Sequence, residues 1–406
     1  MTEDSLRCPG MRDLLPADME RFRKVEAAFR SSCLAWGYQE IRTPTIEHLY
    51  LFTGAGTLSP QMLGRVYSFL DWDGWSGERV VLRPDATIPA ARLYIESLEH
   101  GTTAKLFYVQ NVFRFAQGDD SREDWQCGVE LIGDTAPAGD IELILLALDA
   151  LRSLAERPMT VRLSHPGIIR AVLAKAGFEN GEQLQLYDRL LDGDASVLRE
   201  VEARLPATRA ALEMLGLEGE GSAYLNNLSA ALAPTIPELA RALGELLVIT
   251  QTLEALNYQP LVSAALVRNF EYYTGPVFQF ALDGETFGGG GRYDSLMEQV
   301  GGEGPVAASG FALSAQRLMQ LLPEVEVPER LSISVEPRSK GTSDLAEAFA
   351  TAAELRSRGL PAQIAGPATG STLAFGESGY LLRQPDGSFV EASDLESVLR
   401  EFRQDA

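Results

Sequence analysis

Phe113-Arg114-Phe115, a short polar interval, and then Arg122-Glu123-Asp124-Trp125-Gln126-Cys127-Gly128-Val129-Glu130 has the texture of strand, loop, strand. Side chains alternate along a strand, so even spacing puts Arg114, Gln126 and Glu130 on one face of such a hairpin. A guanidinium, an amide and a carboxylate facing together suit an amino acid. Arginine pairs an α-carboxylate, while amide and carboxylate oxygens accept from ammonium or imidazole. The same three residues would also serve as a solvated strand face, and spacing alone does not choose between the two.

Outward from this hairpin, further strands are expected at Tyr38–Thr43, stopped by Pro44, and at Tyr67–Leu70, Val80–Arg83, Ala104–Phe115, Gln126–Ile132 and Thr160–Leu163. Helical spacing of apolar residues predicts helices over Pro16–Trp36, Ile88–Leu98 and Asp140–Ala155. Many strands with little regular alternation point to an α+β domain with a mostly antiparallel sheet flanked by helices. From about Pro166 to Asn257 the texture changes to Ala-, Leu- and Glu-rich helices broken at Gly177, Gly193, Pro206 and Gly216, as in an inserted helical domain. Strand character returns at Leu261–Val267 and Pro276–Leu282. After Leu331, β-like Leu331–Val335, helical Asp344–Arg358, β-like Ala362–Ala365 and helical Asp394–Phe402 suggest a small C-terminal α/β domain. The expected division is therefore 1–165 and 258–325 for two parts of one core, 166–257 for the insertion, and 330–406 for the appendage.

Two more constellations carry polar chemistry. In Arg268-Asn269-Phe270-Glu271-Tyr272-Tyr273-Thr274-Gly275-Pro276, adjacent tyrosines beside an arginine could wall a pocket, although such residues also simply pack in sheets. In Gly288-Gly289-Gly290-Gly291-Arg292-Tyr293-Asp294, followed by Gly310-Phe311-Ala312-Leu313-Ser314-Ala315-Gln316-Arg317, the glycines allow close approach of a ligand or a strand, or form a turn. Neither a phosphate-loop nor a dinucleotide-binding spacing is present, and no cofactor is implied.

Bulk properties narrow the classes. The chain has 406 residues, with 35 Lys and Arg against 57 Asp and Glu, a formal charge of −22. Nucleic-acid binding requires clustered bases that neutralise phosphates, so this balance argues against tRNA as a ligand. No apolar run approaches a membrane span, and Met1-Thr2-Glu3-Asp4-Ser5 is acidic where a secretory signal would be basic, so a cytoplasmic protein is expected. Cys8, Cys33 and Cys127 have neither disulfide-framework nor zinc-site spacing, and no metal is expected.

Taken in order, these segments resemble histidyl-tRNA synthetase over nearly all of the first 320 residues. The chain opens with Gly10-Met11-Arg12-Asp13-Leu14-Leu15-Pro16 and continues with Gly37-Tyr38…Arg42-Thr43-Pro44…Glu47, similar to the first class II synthetase motif, and with Leu82-Arg83-Pro84-Asp85-Ala86-Thr87. The segments at Arg268 and at Gly291–Asp294 are similar to that family's two histidine-recognition signatures. The resemblance implies a homodimer core and a histidine site. Asp85, where the family has Glu, would hold the α-ammonium with Thr87 and Gln126. Arg114 and Arg268 would face the carboxylate, Glu130 and Tyr273 would read the imidazole, and Tyr272 and Tyr293 would wall the pocket.

The nucleotide side departs from the family. Ala116 replaces a Glu two residues after the second motif's arginine, the next loop carries Asp119, Asp120, Glu123 and Asp124, and the third motif's Gly-x-Glu-Arg becomes Ser314-Ala315-Gln316-Arg317. Activation of an amino acid depends on positioning and charge stabilisation, so no catalytic residues are expected. This pattern looks most like the regulatory subunits of ATP phosphoribosyltransferase. That resemblance implies a hetero-oligomer with a short catalytic subunit, feedback by L-histidine on the first step of histidine biosynthesis, and no tRNA or membrane partner. The alternative it leaves is a divergent histidyl-tRNA synthetase.

Overall fold

In the computed structural model, residues 6–54, 66–72, 77–97, 101–115, 121–133, 137–155, 157–191, 194, 196–206, 209–263, 273–324, 332–364, 370–376, 379–384 and 386–404 are described. The chain divides into two compact units, Met1–Glu324 and Val325–Ala406.

The first unit holds twelve described strands: β1 Gln39–Glu40, β2 Ile46–His48, β3 Ser68–Trp72, β4 Gly77–Leu82, β5 Ala104–Phe113, β6 Glu123–Ile132, β7 Thr160–Ser164, β8 Glu218–Glu220, β9 Leu261–Ser263, β10 Val277–Leu282, β11 Glu285–Arg292 and β12 Ala308–Ser314. Nine of them form one sheet in the order β1-β5-β6-β12-β11-β10-β7-β9-β8. Only β1–β5 and β7–β9 run parallel; every other neighbour is antiparallel. The proline-ended segment supplies β1 at one edge of this sheet, and β2-β4-β3 form a separate antiparallel sheet.

One face of the large sheet is apolar. Odd positions of β5, β6 and β12, among them Phe107, Val129 and Phe311, pack against the helices Pro16–Ala35 and Ala138–Arg152. The first of these helices begins with Pro16 at its first turn, where the missing N–H is no loss. Asp18 accepts from the Leu15 N–H (3.2 Å) at the same end. Phe22, Val25, Phe29 and Cys33 bury its inner stripe. Gly37, at φ +81°, ends it in the left-handed region that favours glycine.

Three readings from sequence are narrowed or changed here. Of the alternatives open for the glycine run, close approach to a strand holds: it is strand β11, hydrogen-bonded on both sides by β10 and β12. Glu123 and Asp124 lie in β6 rather than in the loop before it. Among its described residues the segment 166–257 holds six helices and one strand, β8, which pairs with β9 and extends the large sheet. Its apolar residues, such as Ile168, Leu225 and Leu246, join the same core as the sheet.

The second unit is a five-stranded sheet ordered β14-β13-β15-β16-β17, with β13 Ile333–Glu336, β14 Ala362–Gln363, β15 Thr372–Phe375, β16 Tyr380–Arg383 and β17 Phe389–Ala392. Helices Thr342–Ser357 and Leu395–Gln404 cover Ile333, Val335, Leu373 and Leu382 with Ala348, Leu355, Val398 and Phe402. Sequence reading finds β13 and β14 but not the last three strands, β15, β16 and β17, each of four residues.

Candidate functional site

The polar face of the large sheet is set by register. Across β5, β6 and β12, Gln110 lies opposite Gln126 and Ser314, Tyr108 opposite Gly128 and Ala312, and Leu106 opposite Glu130 and Gly310. Gly291 of β11 then lies opposite Gly310. Directly opposed residues in an antiparallel ladder share a face, so Gln110, Tyr108, Gln126 and Glu130 converge above a floor that includes three glycines.

Glu130 is 1% exposed. One of its carboxylate oxygens accepts from the Tyr108 hydroxyl (2.9 Å) and the other from the Tyr293 hydroxyl. The Thr87 hydroxyl lies 3.4 Å from that of Tyr108. Burial raises the Glu130 carboxyl to about 8; hydrogen bonds from Tyr293, Thr87 and Tyr108 oppose the rise, and the Asp85 charge adds to it. The Tyr108 phenol is likewise pushed well above its ordinary value, first by burial and then by Glu130 and Asp85. The glycines make room for these groups. A β-carbon on Gly310 would land on the Glu130 carboxylate, 2.8 Å from the Tyr293 hydroxyl, and one on Gly128 would enter the Tyr108 ring. One on Gly291 would meet Tyr273 Cδ1 at 2.9 Å.

The remaining residues named from sequence fall as follows. Asp85 caps the helix Thr87–Ser97, its Oδ1 accepting from the N–H groups of Thr87 (2.8 Å) and Ile88 (3.3 Å). Gln126 is buried, and its side-chain oxygen has no hydrogen-bond partner among the described residues. Arg114 is exposed just beyond β5, and its Nε donates to the Pro84 carbonyl (2.8 Å), beside Asp85. Tyr273 is half-buried next to Gly291, and its carbonyl accepts from Arg170 (3.2 Å). Thr87 and Tyr293 are buried with Glu130. Arg268 and Tyr272 lie outside the described residues.

The other end of the cleft is closed by polar contacts within the protein. The Ser314 hydroxyl donates to Asp124 Oδ1 (2.9 Å), and the Gln316 amide donates to the Glu123 carbonyl (3.1 Å). Burial raises the Asp124 carboxyl above its usual value, although Ser314, the Trp125 N–H, Arg114 and Arg317 all favour its charged form. Arg317 donates to the Thr286 carbonyl (2.6 Å). Ala116, Asp119 and Asp120 lie outside the described residues.

Sequence reasoning missed Tyr108 and Gln110. The signal was available: once Glu130 is placed on the polar face of a hairpin, the register brings a large ring at 108 across from the glycine at 128.

Residues 10–318 match the histidyl-tRNA synthetase family profile. The ATP phosphoribosyltransferase regulatory subunit of Dehalococcoides mccartyi (strain ATCC BAA-2100 / BAV1) is 44% identical over 373 residues, 91% of this chain and 90% of that one. The chain belongs to the histidyl-tRNA synthetase-like family of ATP phosphoribosyltransferase regulatory subunits. Ligases are also similar to this chain: the histidine–tRNA ligase of Methanosarcina acetivorans is 34% identical over 373 residues, 87% of this chain and 83% of that one. A crystal structure of an ATP phosphoribosyltransferase regulatory subunit/histidyl-tRNA synthetase from Bacillus halodurans superposes with a TM-score of 0.72 at 27% identity, covering 91% of this chain and 94% of that one. The α+β class II synthetase-like architecture expected from sequence is therefore the architecture of this regulatory-subunit family. Among the described residues no helix is long and apolar enough to cross a membrane.

Proposed function

We propose that this chain is a non-catalytic regulatory subunit of ATP phosphoribosyltransferase that binds free L-histidine and transmits it as feedback to a short catalytic subunit. The observation that carries the proposal is Glu130, a carboxyl sealed from water, held by two phenols, and on the same sheet face as the unpaired Gln126 oxygen. An imidazole N–H donating to Glu130 would replace the partner that burial removed. Asp85, Thr87 and Gln126 would take the α-ammonium, Arg114 and Arg268 the carboxylate, and Tyr272, Tyr273 and Tyr293 the ring faces.

Against activation chemistry stands the far end of the cleft, where the Gln316 and Ser314 side chains are committed to Glu123 and Asp124. A half-buried carboxylate there, Asp124, would repel a triphosphate rather than steady it. The charge of −22 opposes tRNA in the same way. The assembly is a homodimer core within a cytoplasmic hetero-oligomer. By linkage, histidine binds the inhibited complex more tightly than the active one.

Calorimetric titration with histidine, of the free chain and of its complex with the short catalytic subunit, tests the pocket. Saturable heat in either form supports it, and silence in both at millimolar ligand removes it. Glu130→Ala and Arg268→Ala should abolish feedback in an assembled, active complex. The ligase reading draws on the 34% identity to a histidine–tRNA ligase and on the presence of Arg114, Arg268 and Arg317. Histidine-dependent ATP–pyrophosphate exchange at useful turnover would establish it in place of the regulatory one.

A further inference from the structure

Gln110 lies directly opposite Gln126 in the β5–β6 ladder, on the sheet face that carries Glu130, and is 2% exposed. Its side-chain oxygen accepts from the Thr43 N–H (3.0 Å), the Thr43 hydroxyl (3.1 Å) and Arg83 Nη1 (2.6 Å). A backbone N–H and a guanidinium can only donate, so the amide has one permitted orientation, oxygen toward Arg83 and Thr43 and NH2 away from them. That NH2 has no hydrogen-bond partner among the described residues. Gln126 is in the complementary condition, with a buried side-chain oxygen that accepts no hydrogen bond among the described residues. Two residues in direct register thus present an unpaired donor and an unpaired acceptor beside each other, where buried polar groups are ordinarily satisfied.

Arg83 sharpens the asymmetry. It is 3% exposed, and its Nε, Nη1 and Nη2 all donate to neutral oxygens, those of Thr43, Pro44, Gln110 and Asn111. A buried cation pulling on the Gln110 oxygen polarises the amide and makes its N–H groups better donors to an anion. The α-carbon of an amino acid carries the matching pair, an ammonium that only donates and a carboxylate that only accepts.

We infer that Gln110 is a specificity-determining residue of this site, its amide NH2 donating to the α-carboxylate of the bound amino acid while Gln126 accepts from the ammonium. The inference rests on the histidine reading above and adds to it a carboxylate anchor on the sheet floor.

The test compares histidine with histamine, which keeps the imidazole and the ammonium and lacks the carboxylate, by calorimetry on the full chain. Wild type should prefer histidine by at least about tenfold, about 1.4 kcal/mol. Gln110→Glu keeps the oxygen that Arg83 and Thr43 require and replaces the donor with a second oxygen. It should weaken histidine at least about tenfold and leave histamine unchanged or tighter. Gln126→Leu should weaken both ligands. Equal wild-type affinity for the two ligands, equal loss of both in Gln110→Glu, or no change in either overturns the assignment, the last meaning that a water bridges the two amides. If wild type binds neither ligand, the histidine reading falls and takes this inference with it; if binding is intact with an unaltered ratio in Gln110→Glu, only the inference falls.

Discussion

The guanidinium of Arg292 and the carboxylate of Asp140 are buried together on the apolar side of the sheet, behind the polar cleft. Asp140 also accepts from Ser309, and Arg292 reaches Glu245 on the helix Leu239–Ala255 (2.8 Å). The next residue, Tyr293, emerges on the other side and bonds Glu130. Arg292 thus fixes the strand end from which the cleft's phenol is presented.

Asp140→Ala leaves a buried guanidinium with Glu245 as its only remaining carboxylate contact among the described residues. Removing one partner of a buried pair is far costlier than removing an exposed one, and a loss of about 3 kcal/mol is expected. Urea denaturation should show a lower midpoint, whereas a change at the exposed pair Arg157–Asp283 should move it little.

Glu130 titrates near 8 in the folded chain against an ordinary value of 4.5. The folded state therefore binds a proton that the unfolded state has released, and stability from this group is complete below 4.5 and lost as pH rises through about 8. Between pH 6 and 9 the ligand-free protein should lose on the order of a few degrees in Tm from this source. Glu130→Gln cannot ionise, so its melting curve over the same range should be flatter; equal slopes would contradict the burial argument.

Gly310→Ala drives a methyl group onto the Glu130 carboxylate and to within 2.6 Å of the Val129 carbonyl. Overpacking of this kind costs about 1–3 kcal/mol. Histidine titration of this variant should give no heat even at temperatures where its circular dichroism is unchanged.

Arg83→Lys keeps the charge and loses the planar fork that serves Thr43, Pro44, Gln110 and Asn111 together. Unpaired buried oxygens cost about 1–3 kcal/mol. A lowered denaturation midpoint with an unaltered m-value is the expected result.

Much of this arrangement can be read from residues alone, and the failures have physical causes. Phe22, Val25, Phe29 and Cys33 announce the first helix because a buried stripe must recur at helical spacing. Glu130 and Gln126 are found because side-chain alternation survives any uncertainty about strand ends. The Gly288–Gly291 run stays undecided between strand and turn because glycine disfavours a strand by its own propensity, and the flanking ladders of β10 and β12 decide it. Asp124 reads as a loop residue from its charge, yet the Ser314 hydroxyl and the Trp125 N–H support it inside β6. Gln110 stays silent until the register with Gln126 is known, since its meaning lies in a neighbour sixteen positions away.

Gly128, Gly291 and Gly310 form a cleft floor made of bare main chain. Any point substitution there can only add atoms, so its capacity can shrink in a single mutational step and cannot grow. For the proposed histidine site, retargeting toward a bulkier guest would have to come from the walls at Tyr108, Tyr273 or Tyr293, whereas loss of the site would be one codon away at any of three positions.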